Sequence, residues 1–211
     1  MFFRCRERDF GTGCYLNCIL QVMKEKIENE IKAAAGRLSN HLKNVQINGS
    51  SGYIQYDFKC SELLDWNDND IRKSPEHKGF FEEVTNFTGP VLYFFEIIST
   101  QDSGAVRECM RAYKILEGSK SVPALKKRYN QDSRILYVGK VKRNFYGRVI
   151  QHLGYYKVAR TQGLQLFYWA REFGLDVRLH AYHFEPEMHD LVSILELKFA
   201  RDLKPITGKH S

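Results

Sequence analysis

Between residues 135 and 152 the chain passes from an apolar strand into a short helix with little between them. Ile135-Leu136-Tyr137-Val138 stops at Gly139-Lys140, and residues 144–153 follow with helical spacing. Arg148 and His152 are four apart, so they project from one helix face on adjacent turns. Tyr137, Lys140, Arg148 and His152 are thereby expected to converge near one strand end. Such a set can hold a phosphate and manage a proton, which points to chemistry on nucleic acid.

The rest of the chain frames this segment. Ile19, Met23, Ile27, Ile31, Ala34, Leu38, Leu42 and Val45 recur in steps of three and four, the mark of one long amphipathic helix. That helix is expected to pack on its own domain or on a second copy of the chain. Ile54, Tyr56 and Phe58 alternate with polar residues as in a half-exposed strand. Residues 65–79 read as a loop and Gly89-Pro90 as a boundary. Beyond it come an apolar strand at 91–98, a helix at 104–117, strands at 133–139 and 176–184, and helices at 144–153 and 163–173. A last helix starts at Pro186 and is stopped by Pro205. The expected fold is α+β: a small central antiparallel sheet of about three strands flanked by helices. Residues 1–90 form a helical and β extension and 91–211 a second domain.

Charge is unevenly placed. Residues 1–90 hold 12 basic and 13 acidic side chains, residues 91–211 hold 20 and 12, and the span 120–160 holds eleven basic residues against the single acid Asp132. A block of this kind beside a phosphate-handling cluster reads as a footprint for a phosphate backbone. Lys126, Lys127, Arg128, Lys142 and Arg143 are the candidate nucleic-acid contacts. With 43% hydrophobic and 13% aromatic residues the chain can build a core. It has no apolar run near the ~20 residues that span a bilayer, so no membrane partner is expected. The charged start Arg4-Cys5-Arg6-Glu7-Arg8 does not suit a signal peptide, and translation from Met23 is an alternative start. Five cysteines, an odd and irregularly spaced set, suggest free thiols in a reducing cytoplasm. Cys14 and Cys18 lack the further ligands of a zinc set. His180 and His183, three apart on a strand, face opposite sides and do not share a metal.

In this order, the segment 91–211 resembles the GIY-YIG nuclease family. Val91-Leu92-Tyr93 is similar to its first motif and Tyr137-Val138-Gly139 to its second. Arg148 and His152 resemble the family's helix residues, and Glu196 its acidic one. Leu203-Lys204-Pro205-Ile206-Thr207-Gly208 resembles the family's closing stretch. The chain departs from the pattern at Val91, where the family has Gly, at Gly208, where Asn is common, and in its long Tyr93–Tyr137 interval.

The resemblance implies a metal-dependent endonuclease acting on DNA, with RNA as an alternative and a restriction or defence role. Tyr93 would take a proton from the attacking water. A free phenol has a pKa near ~10, so a nearby cation, Lys140 or His152, is expected to lower it. Arg148 would clamp the scissile phosphate with its planar fork, His152 relay a proton or orient water, and Tyr137 bond the substrate or pack on Tyr93. Glu196 shares a helix face with Val192, Phe199 and Leu203. A carboxylate there is costly unless paired or metal-bound, so Glu196 would hold one Mg²⁺ or Mn²⁺ with water and phosphate completing the shell. A nucleic-acid-binding module of the same fold without catalysis is the alternative.

Overall fold

A computed structural model describes residues 12–66, 70–156, 160 and 162–209. The chain divides into two compact units, Met1–Ile47 and Asn48–Ser211. The division falls well before the Gly89-Pro90 boundary expected from sequence. In the first unit the described residues form α1 (Thr12–Asn48), 37 residues long. The apolar stripe lies on this helix, with Met23, Ile27 and Ile31 each more than half exposed. Cys5 and the side chains of Cys14 and Cys18 lie outside the described residues; Cys60 and Cys109 are free thiols.

The second unit is built on a fully antiparallel sheet of β1 (Gly52–Lys59), β2 (Val91–Ile97), β3 (Ile135–Val141) and β4 (Asp176–His183). The strand order is β1-β4-β2-β3. The sheet thus has four strands rather than about three. The added one is β1, which the sequence reading assigned to the extension. Its alternation buries Ile54 and Phe58 on one face and leaves the other exposed, the pattern of a half-covered edge strand. β4 supplies the edge it pairs with, Ile54 opposite Ala181 and Phe58 opposite Val177.

Five helices complete the unit: α2 (Lys78–Thr85), α3 (Ser103–Lys114), α4 (Phe145–Leu153), α5 (Leu166–Phe173) and α6 (Val192–Leu203). α2 falls where no element was expected. The last helix is shorter than expected: Pro186 opens a separate 3-10 turn, Pro186–Met188, before α6 begins. One sheet face carries Val91, Tyr93, Phe95, Val177 and Leu179 into the main core with Phe81, Met110, Val149 and Trp169. The opposite face carries Leu92 and Val138, also buried.

The outer edge of β3 is covered by the chain after α6. Ile206 N–H donates to the Ile135 carbonyl at 2.8 Å and Thr207 N–H to the Leu136 carbonyl at 3.1 Å. Leu125 forms a bridge to Thr207, and Gly208 N–H donates to the Ala124 carbonyl at 2.8 Å. This stitching satisfies an edge that would otherwise invite pairing.

Candidate active site

Tyr93 lies at the centre of the cluster. Register sets it opposite Gly139 on β3, and it is 1% exposed. A Cβ on Gly139 would lie 2.5 Å from Tyr137 Cε1 and 2.7 Å from Tyr93 Oη. The glycine of the second motif is therefore a spacer that lets two tyrosine rings meet over the strand, their centroids 6.2 Å apart.

α4 brings in the other two members. Its start is fixed by Asn144, which adopts φ 60° and accepts the Gly147 N–H at 3.1 Å, an N-cap. From that start, Arg148 and His152 face Tyr93. Arg148 Nε donates to Tyr93 Oη at 3.0 Å, and His152 Nε2 lies 2.9 Å from the same oxygen.

The tautomer of His152 follows from its second contact. The backbone N–H of Leu164 donates to His152 Nδ1 at 3.1 Å. An amide is always a donor here, so Nδ1 carries the lone pair and the ring proton sits on Nε2. Tyr93 Oη then accepts from both His152 and Arg148, and neither of these contacts uses the phenol's own hydrogen. Protonating His152 would break the Leu164 bond. Complete burial, with the Arg148 charge adding to it, holds its pKa well below the ordinary histidine value. His152 is thus a fixed donor, where the sequence suggested a group that relays a proton or orients water.

The expected lowering of the Tyr93 pKa is not found. Burial pushes it upward, the neighbouring Tyr137 adds to this, and Arg148 opposes it without reversing it. The cation in contact is Arg148. Lys140 pairs across from Leu92, and alternation places it on the other sheet face from Tyr93.

Arg148 is itself heavily used. Beyond Tyr93, its Nη1 donates to Gln151 Oε1 at 2.9 Å and to the Gln162 carbonyl at 2.7 Å, and Nη2 to Tyr137 Oη at 3.4 Å. Four of five N–H groups have acceptors among the described residues, so Arg148 offers a phosphate one N–H of Nη2 rather than a fork. Sequence reasoning missed Gln151, Gln162 and the Leu164 amide. The signal for the last two was Gly163, where a Cβ would lie 2.3 Å from the Gln151 carbonyl oxygen; that close approach seats the loop on the end of α4.

Glu196 is 9% exposed on α6, and its charge is felt at Tyr93. The buried stripe of this helix is Val192, Glu196 and Ala200, whereas Phe199 is 38% exposed. Steps of four line the buried face, with Leu203 half-buried at its end and Phe199 turned outward, against the expectation. A single carboxylate whose charge is felt at the Tyr93 phenol suits a hard divalent cation that keeps most of its water. No group of three or more His, Cys, Asp and Glu side chains gathers among the described residues, so a closed protein cage of the structural-zinc kind is not built there.

Of the candidate nucleic-acid contacts, Lys127, Arg128 and Arg143 are exposed and Lys126 is half-buried. Lys142 is engaged in an ion pair with Asp190 at 2.7 Å. His180 and His183 face opposite sides of β4, His180 bonded to Tyr53 and Glu96 and His183 accepting the Gly89 N–H. No helix among the described residues is long and apolar enough to cross a membrane. The chain matches no family model, no curated protein and no solved structure.

Proposed function

We propose that the protein is a metal-dependent endonuclease of GIY-YIG type that hydrolyses phosphodiester bonds in DNA, with RNA as the alternative polymer. One observation carries the reading: two fixed donors, His152 Nε2 and Arg148 Nε, converge on the oxygen of Tyr93. Donors that stay in place when a phenol ionises favour the phenolate. Solvent hydroxide first takes the Tyr93 hydrogen; the phenolate then takes the proton of a water attacking phosphorus, the bond from phosphorus to the leaving oxygen breaks on the far side, and that oxygen takes a proton from solvent. The remaining Nη2 N–H of Arg148 serves a phosphate oxygen, and Tyr137 orients Arg148. Glu196 would hold Mg²⁺ or Mn²⁺, which when bound supplies Lewis-acid polarisation of the phosphate. A cytoplasmic restriction or defence setting and pairing through α1 belong to the same proposal.

The test is incubation with plasmid, branched and single-stranded DNA plus Mg²⁺. Cleavage should appear in the wild type and fall by about 10²–10⁴ in Arg148→Ala and Glu196→Gln. Absence of new ends on every substrate sinks the reading. A second reading, a nucleic-acid-binding module without catalysis, is favoured by the burial of Tyr93; it gives salt-dependent binding and no cleavage.

A further inference from the structure

A cavity of about 910 Å³ opens between the segment before β3 and the chain leaving α6. It lies at the upper end of the ~300–1,000 Å³ usual for ligand pockets. Among the described residues six cations line it, Lys126, Lys127, Arg128, Arg201, Lys204 and Lys209, and no acid does. Asp202, beside Arg201 in the chain, is turned to Lys198 at 2.9 Å. Between the cations the wall is apolar, with Ala124, Leu125, Ala200 and Pro205. Tyr129 adds an aromatic ring, over which the Arg107 guanidinium carbon sits at 3.8 Å. Arg107 is 6% exposed and donates to the Ile206 carbonyl. Among the described residues no carboxylate forms an ion pair with it, so a buried positive charge stands behind the groove wall. Such a charge is costly alone and is offset by an anion nearby.

The walls are held in place by the stitching of 124–126 to 206–208. Gly208 belongs both to the groove and to the tyrosine site, since a Cβ there would come within 4.0 Å of Tyr137. The groove therefore runs up to the candidate active site, and one of its two walls comes from the long interval between β2 and β3.

We infer that this groove binds an unpaired nucleic-acid strand and leads it toward Tyr137, an inference that rests on the nucleic-acid reading of the site. Cations arranged around an apolar and aromatic floor match alternating phosphates and bases. A duplex hides its bases in the stack, so only an unpaired strand can lay them against Leu125, Tyr129 and Pro205. The substrate class is then single-stranded or branched nucleic acid with an unpaired arm.

The experiment uses the full chain in EDTA, with fluorescein-labelled 12-nucleotide single strands and the matching 12-base-pair duplex, read by anisotropy across salt concentrations. The single strand should bind at least tenfold tighter than the duplex. The triple variant Lys127→Glu/Arg128→Glu/Lys209→Glu changes three groove cations that form no internal ion pair among the described residues, so its melting curve should match the wild type. Its single-strand affinity should fall at least tenfold, and its salt slope should shrink by about 2, from roughly 0.7 per lost phosphate contact. Equal binding of duplex and single strand, an unchanged slope in the folded triple variant, or equally effective displacement by a poly-glutamate peptide would overturn the inference, the last pointing to an acidic protein instead. Cleavage with Mg²⁺ is scored in parallel. Groove-dependent binding without cutting supports the groove and removes the hydrolytic reading. Cutting with groove-independent binding does the reverse.

Discussion

At Tyr93 a single oxygen ties together a strand and the helix that follows the next strand. Removing that oxygen leaves two buried donors, on His152 and Arg148, without their acceptor. Tyr93→Phe should therefore cost about 1–3 kcal/mol of stability along with any cleavage, read by chemical denaturation and a nicking assay. Gly139→Ala attacks the same point from the other strand. Its methyl would meet Tyr137 and Tyr93 well inside contact distance, so the rings must move apart at a cost of about 1–3 kcal/mol. The titration of His152 has a definite sign. Its folded pKa lies below the ordinary ~6.5, so below that pH the unfolded chain binds a proton that the folded chain refuses. Stability should be undiminished above about pH 6.5 and fall as pH drops beneath it. His152→Gln should flatten this slope; an identical slope in the variant would show that His152 is not its source. The residues that meet here were legible in the sequence because strand alternation and helical spacing place them. The roles of His152 and Arg148 were not, because they depend on a backbone amide and a carbonyl from the 162–164 loop, which carries no motif.

At the scale of elements, the sheet shows what sequence alone conveys. The alternation of Ile54, Tyr56 and Phe58 announces a strand, yet its partner β4 begins more than a hundred residues later, and nothing in either segment names the other. α2 escaped notice because it is eight residues long, has no side-chain cap at His77, and follows a loop rich in Asp, Asn and Lys. Its Phe80, Phe81 and Val84 nevertheless enter the core beside Phe58 and Leu63. These facts set where the chain can be cut. A fragment beginning at Val91 loses the edge partner of β4 and a large share of the core, and should be unfolded or aggregated. A fragment beginning at Asn48 keeps every strand and should show a cooperative melt and dispersed amide resonances. A folded, monomeric 91–211 fragment would show that β1 and α2 are dispensable to the sheet and its core.

At the scale of the whole molecule, α1 has a long apolar stripe and, among the described residues of its unit, no second element to cover it. Helices in proteins owe most of their stability to such covering. With Leu20 taken in place of its neighbour Ile19, the stripe Leu20, Met23, Ile27, Ile31, Ala34, Leu38, Leu42, Val45 advances by 3, 4, 4, 3, 4, 4 and 3 residues, an eleven-residue repeat that keeps a nearly straight seam with slight right-handed drift. The series reads the same from both ends. An antiparallel copy centred between Lys32 and Ala33 would therefore set Leu20 against Val45, Met23 against Leu42, Ile27 against Leu38 and Ile31 against Ala34, large against small at the middle. A parallel copy would set Ala34 against Ala34 and leave a gap. The protein should sediment as a dimer, and Ile27→Glu/Ile31→Glu should weaken association by about 100-fold or more, near 2.7 kcal/mol, while leaving the melting of residues 48–211 unchanged. Ala34→Leu separates the two orientations. It fills the gap of a parallel pair and tightens it, but collides with Ile31 in the antiparallel pair and loosens it. A looser dimer is expected, and a monomer at high concentration in the wild type would remove the pairing altogether.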